Sequence, residues 1–105
     1  MSKLNGLQPW LRPHAEYLVE IAAYNNLRPV VTSGYRSSAQ QARLYQNFLA
    51  GRSRFPAAPP GRSLHEQRRA FDLVVTPRSM LPVLGRLWRS WGGQWFESDP
   101  IHFQA

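Results

Sequence analysis

The chain has no cysteine. That excludes disulfides and thiolate metal sites, so any metal must be held by histidine, aspartate or glutamate. No apolar run is long enough to span a membrane. The start, Met1-Ser2-Lys3-Leu4-Asn5-Gly6, lacks the apolar core of a signal peptide. Synthesis in the cytoplasm, without a membrane span, is the expectation. Acidic residues are scarce, six against thirteen Lys+Arg, and the net charge is +7. Such a balance favours anionic partners: nucleic acid, a membrane surface or acidic cell-envelope polymers. The length, 105 residues, suits one domain over 1–105 with one modest core, and a monomer.

The scarce titratable residues cluster at two places. Ser63-Leu64-His65-Glu66-Gln67-Arg68-Arg69-Ala70-Phe71-Asp72 holds one histidine and one aspartate, and Asp99-Pro100-Ile101-His102 holds another of each. His65, Asp72 and His102 would make a two-histidine, one-carboxylate set, the ligand mix of a catalytic zinc with one position left for water. Asp99 would remain as a carboxylate free to act as general base. Taken singly, each of these is more often a surface or hydrogen-bonded residue. His65-Glu66 also begins like the helical motif His-Glu-x-x-His, but position 69 is Arg69. Glu66 therefore reads as a solvated loop residue.

The order of motifs adds to this. Ser63-x-His65, then Ala70-x-Asp72, then Asp99-x-x-His102, preceded by Ser33-Gly34-Tyr35-Arg36-Ser37, resembles the zinc D-Ala-D-Ala carboxypeptidase family. That family includes phage L-alanyl-D-glutamate endolysins and D-Ala-D-Ala dipeptidases. The resemblance covers roughly residues 30 to 103. It implies the Hedgehog/DD-peptidase fold, zinc on His65, Asp72 and His102, and Asp99 as base. It also gives Arg36 the oxyanion or a substrate carboxylate, and Ser63 a hydrogen bond to substrate or a place in a turn. One departure stands out: Arg68 occupies the family's glycine position in Ser-x-His-x-x-Gly-x-Ala-x-Asp. A negative φ is expected there, with the side chain on a basic rim beside the substrate.

Periodicity outlines the rest. Ala15, Leu18, Val19 and Ala22 make one face of a helix over 10–27, with His14 an exposed polar residue. Residues 29–33 read as a strand. Ser38-Ala39-Gln40-Gln41 reads as a capping box opening a helix to about Leu49, with Tyr45, Phe48 and Leu49 as core candidates. Gln41, explained by the cap, is also carried as a substrate contact. Residues 52–62 are a proline-rich basic loop. Residues 70–75 are a strand with Asp72 on one face and Phe71, Leu73 and Val75 on the other. Ser79 caps a last helix with an apolar face of Met80, Leu81, Leu84, Leu87, Trp88 and Trp91. Two short strands, 94–96 and 101–103, follow. The predicted architecture is α+β, about three helices against a small, mainly antiparallel sheet.

The expected function is zinc-dependent hydrolysis of peptidoglycan stem peptides by a phage-type endolysin, cutting either L-Ala-D-Glu or D-Ala-D-Ala. Its charge would hold it to anionic envelope polymers. Two alternatives come from other classes. Arg68 in place of glycine suggests a zinc-bearing domain that binds peptidoglycan without cutting it. The charge and aromatics suggest a nucleic-acid-binding protein, but that leaves the ordered motifs unexplained, and no nucleic-acid partner is expected.

Overall fold

The computed structural model describes residues 2–105. Met1, with which the signal-peptide reading begins, lies outside the described residues. Three helices, α1 (Arg12–Tyr24), α2 (Ser38–Leu49) and α3 (Leu81–Ser90), accompany four strands: β1 (Val30–Ser33), β2 (Ala70–Val74), β3 (Gln94–Trp95) and β4 (His102–Gln104). Short 3-10 turns occupy Ser2–Leu4 and Arg78–Met80. The strands form one antiparallel sheet in the order β1-β2-β4-β3. The α+β expectation holds. Among the described residues, no helix is long and apolar enough to cross a membrane.

Strand alternation divides the sheet into a dry face and a chemical face. In β2, Phe71 and Leu73 point into the core, and in β4 Phe103 does the same. The register pairs Phe71 with Phe103, whose rings stack at 5.5 Å. Trp88 of α3 meets Phe71 edge-on at 5.4 Å. Such aromatic pairs add about 0.5–1.5 kcal/mol beyond the area they bury. The two most deeply buried indoles are also satisfied: Trp88 donates to the Gln104 carbonyl and Trp95 to the Pro100 carbonyl, both at 2.9 Å. Because inward residues alternate with outward ones, the neighbours of this packing, Asp72, His102 and Gln104, share the opposite face.

The helix α1 buries Ala15, Leu18, Val19 and Ala22, as its periodicity requires. In α3, Leu81, Leu84 and Trp88 are buried, but the cap differs from expectation. Met80, not Ser79, holds the N-cap position, and no side chain caps it. The preceding 3-10 turn already directs the chain into the helix, with Pro82 in the first turn, where N–H groups have no helical partner.

Gly85 lies against Trp95 so closely that an added Cβ would sit 2.1 Å from the indole. An alanine in mid-helix normally gains about 1 kcal/mol over glycine. Here overpacking against a buried ring costs about 1–3 kcal/mol and wins. Gly85→Ala is therefore expected to lower Tm by several degrees, read by calorimetry. An unchanged or raised Tm would mean the helix and Trp95 are not tightly apposed.

The helix α2 departs most from expectation. Its capping box is real but begins one residue earlier, with Ser37 and Gln40 in place of Ser38 and Gln41. The Ser37 hydroxyl accepts from the Gln40 N–H at 3.2 Å, and the Gln40 amide oxygen accepts from the Ser37 N–H at 2.9 Å. Tyr45 and Phe48 are half-buried and Leu49 is 64% exposed, so none joins the core. The buried residue of α2 is Gln41. This helix forms a cleft wall, not a core layer.

Candidate active site

Antiparallel register makes Asp72 and His102 direct cross-strand neighbours on the chemical face. His65 arrives from the loop before β2 and is 3% exposed. One ligand atom from each of the three lies within 4.8 Å of the others. Asp72 Oδ1 is 3.3 Å from His65 Nε2 and 3.4 Å from His102 Nδ1.

The remote nitrogen of each ring is already committed. His65 Nδ1 donates to the Gly34 carbonyl at 2.8 Å. His102 Nε2 donates to the Gln104 amide oxygen at 2.7 Å, and Gln104 in turn donates to Gln94. With those protons placed, both rings aim a lone pair at the same carboxylate oxygen. Three converging acceptors repel one another unless a cation or extra protons lie between them. Two oriented imidazoles and a carboxylate, with no thiolate nearby, fit a zinc ion with three protein ligands.

The electrostatics carry the same mark. Burial alone would raise the Asp72 carboxyl. When the rings carry a second proton, hydrogen bonds from His102 and His65, with the charges of His65 and Arg36, outweigh it and hold the group far below the usual carboxylate range. Burial would lower His102. Its hydrogen bonds to Asp72 and Gln104, with the charges of Asp72 and Asp99, raise it instead. A proton on His102 thus competes with a metal up to a higher pH than on an ordinary imidazole. Metal affinity is expected to fall as pH drops through the neutral range, beginning above the pH at which an ordinary imidazole takes up its proton. Chelator competition for bound zinc across that range checks it, and a flat profile would contradict it.

Arg36 follows β1 at a bulge, where pairing shifts between Val31 and Ser33. Its Nη2 donates to Asp72 Oδ2 at 3.0 Å, its Nη1 to Gln41 at 3.3 Å and its Nε to the Ser33 hydroxyl at 3.0 Å. Three of its five donors are used and two are left. Gln41 spans from Arg36 to the Ala58 carbonyl, at 2.9 Å, so it ties the proline-rich loop to the site. That contact replaces the capping role expected for it. Ser63 is buried and its hydroxyl accepts from the His65 N–H at 3.2 Å, the turn alternative of its two expected roles.

Asp99 shares a cleft of about 490 Å³ with His65, Asp72, His102, Arg36 and Gln41. The Asp99 carbonyl accepts from the His102 N–H at 3.0 Å, so carboxylate and imidazole ride on one turn. Glu97 does not line this cleft.

Two expectations about the loop are corrected. Arg68 has a φ of +62°, not a negative value. Its backbone takes the left-handed turn for which glycine is suited, at a cost of roughly 1 kcal/mol. The side chain turns away from the cleft, donates to the Gly6 carbonyl at 2.9 Å and stacks over Tyr35 at 3.9 Å. Cation–π contact and hydrogen bond together offset the strain. It does not line the cleft that holds His65, Asp72 and His102, and Arg69 is also turned away, holding the Ala105 carbonyl at 2.6 Å. Glu66 is not merely solvated: its carboxylate accepts from the Gly61 and Ser63 N–H groups and the Ser38 hydroxyl.

Gln104 was not expected in the site. Its signal was there: two residues after His102 on one strand, it must share that residue's face. Gln104→Ala is expected to weaken zinc binding by about 10–100-fold, as loss of an outer partner does. Competition with a chromogenic chelator measures it. Unchanged affinity would mean that the amide does not orient His102.

The VanY D-alanyl-D-alanine carboxypeptidase family profile matches residues 5–95. The chain belongs to that family. The VanY profile stops short of Asp99 and His102, which the geometry adds to the cleft. Solved VanY-like structures share the fold. A VanY D,D-pentapeptidase from a VanB-type resistance cassette, in complex with Zn(II), is 18% identical with TM-score 0.75, covering 93% of this chain and 71% of its own. The LD-carboxypeptidase LdcB is 20% identical with TM-score 0.76, covering 94% of this chain and 65% of its own. The L-Ala D-Glu endopeptidase ChiX of Serratia marcescens is 24% identical with TM-score 0.60, covering 98% and 83%. No curated protein sequence matches the chain.

Proposed function

We propose that this chain is a zinc-dependent peptidase that hydrolyses a peptide bond in peptidoglycan stem peptides, in a phage-type endolysin setting. The observation that carries the reading is the convergence of His65, Asp72 and His102 below an open cleft that Asp99 also lines. His65, Asp72 and His102 would hold the metal. Bound zinc supplies Lewis acidity at this point of the cleft, polarising a carbonyl and acidifying water.

Asp99 accepts the proton of the attacking water and delivers it to the departing amine. Arg36 has two tasks. Through Nη2 it keeps Asp72 ionised and oriented, and its two spare donors face the substrate's carbonyl oxygen or a carboxylate beside the scissile bond. Gln41 and Ser33 hold that guanidinium in register.

Both a D-Ala-D-Ala terminus and an L-Ala-γ-D-Glu bond put a carboxylate close to the carbonyl under attack. Mass spectrometry of purified peptidoglycan after digestion, with and without chelator, reads which bond is cut. Chelator-sensitive release of stem-peptide fragments is expected. Intact muropeptides after digestion by zinc-loaded protein would overturn the catalytic reading and leave a binding domain. The +7 charge suits adsorption to anionic envelope polymers.

A further inference from the structure

A second cleft, of about 520 Å³, opens on the outer flank of β1. The sheet order makes β1 an edge strand, so no further strand covers this flank. Residues Thr32 to Arg36 form its floor, Lys3 and Gly6 one wall, and Gln40, Arg43 and Leu44 the other. The last three fall at i, i+3 and i+4 on α2, so they share a face of the helix. Arg36 and Leu44 line this cleft and the catalytic cleft alike. The two therefore adjoin, with the Arg36 guanidinium between them.

Its charge is one-sided. The lining includes Lys3, Arg36 and Arg43 and no acidic residue. Among the described residues, neither Lys3 nor Arg43 makes an ion pair; the pairs found involve Arg12, Arg36, His65 and His102. Lys3 Nζ donates to the Thr32 carbonyl at 3.2 Å, which parks the ammonium on the rim with two N–H groups left over. The wall is also braced. Tyr35, 41% exposed, is backed by the Arg68 guanidinium, which is itself tied to Gly6. Little side-chain ordering remains to oppose binding.

We infer that this cleft is a second anionic subsite, in which Lys3 and Arg43 bind a carboxylate of the same peptide strand whose scissile bond lies in the catalytic cleft. The inference rests on the peptidase reading and deepens it: the substrate is a peptide carrying at least two carboxylates, one at Arg36 and one beyond it. A strand in the catalytic cleft that passes Arg36 enters this cleft directly. A phosphate of a wall polymer would meet the same cations, so adjacency to the catalytic cleft is what favours the peptide carboxylate. Both cations are exposed, so each contributes modestly and in a salt-dependent way.

The test uses two synthetic stem peptides that differ only in whether their side-chain carboxylates are free or amidated. Binding is measured by calorimetry to zinc-loaded Asp99→Asn protein, with and without Lys3→Gln and Arg43→Gln. The double substitution is expected to weaken the free-acid peptide by about tenfold and the amidated one by less than about twofold. Arg43→Lys should restore part of the loss. In otherwise wild-type protein the same pair should raise KM and leave kcat unchanged.

Equal losses on both peptides, or none, would overturn the subsite. So would unchanged peptide binding with lost binding of a phosphate-rich wall polymer, which would assign the cations to the wall. No binding of either peptide overturns it as well. Hydrolysis by wild-type protein is read separately, so failure of the peptidase reading and failure of the subsite give different results.

Discussion

Asp99→Asn should keep its zinc and lose turnover by about 10²–10⁴-fold. The substitution preserves shape and removes the one property a base needs, an ionised oxygen that can take a proton. Asp99 is not among the converging ligand atoms, so the metal should remain. It does line the cleft, while its nearest acidic rival, Glu97, does not. Removing its charge also removes one influence that raises His102, which favours metal over proton there. Zinc analysis and turnover on a soluble stem peptide must therefore be read on the same sample. Near-normal turnover would mean another group takes the proton. Lost zinc would mean that Asp99 belongs to the metal cage.

His102→Ala should do the opposite and empty the site. One of three ligands disappears, so affinity must fall by more than the roughly 10–100-fold that an outer partner is worth. The residue is partly exposed and its strand is anchored by Phe103, which is fully buried. The fold should survive, and Tm without metal should shift little. Elemental analysis after dialysis against a weak chelator reads the loss. A full complement of zinc in folded His102→Ala protein would refute the ligand assignment.

Much of this was legible in the chain. The face of α1, the strand carrying Asp72 and the greasy residues flanking His102 all followed from periods of 3.6 and 2. What failed, failed for physical reasons. Ser37-x-x-Gln40 and Ser38-x-x-Gln41 fit the same capping pattern, and local sequence cannot choose between registers one residue apart. The structure uses the first, which leaves Gln41 to hold Arg36. The apolar residues of α2 looked like core because periodicity gives a stripe but not what lies opposite it. The φ of Arg68 is not legible in the local sequence because its compensation comes from Gly6 and Tyr35, residues far from it in the chain. Gln104 has no motif to mark it, being only an amide two places from a ligand.

The sheet order has a consequence for assembly. β4, the last strand in the sequence, lies in the interior of the sheet between β2 and β3. It brings His102 and Gln104 with it, and its neighbours cannot pair across the gap until it inserts. A chain stopped before β4 would have the β1-β2 pair, an unpaired β3 and a single imidazole beside Asp72. Closing the sheet and completing the ligand set are therefore one event, made of contacts between residues distant in sequence. A metal that binds only the finished set draws folding toward completion by mass action. Formation of the ligand set thus waits on closure of the sheet, a dependence imposed by the strand order.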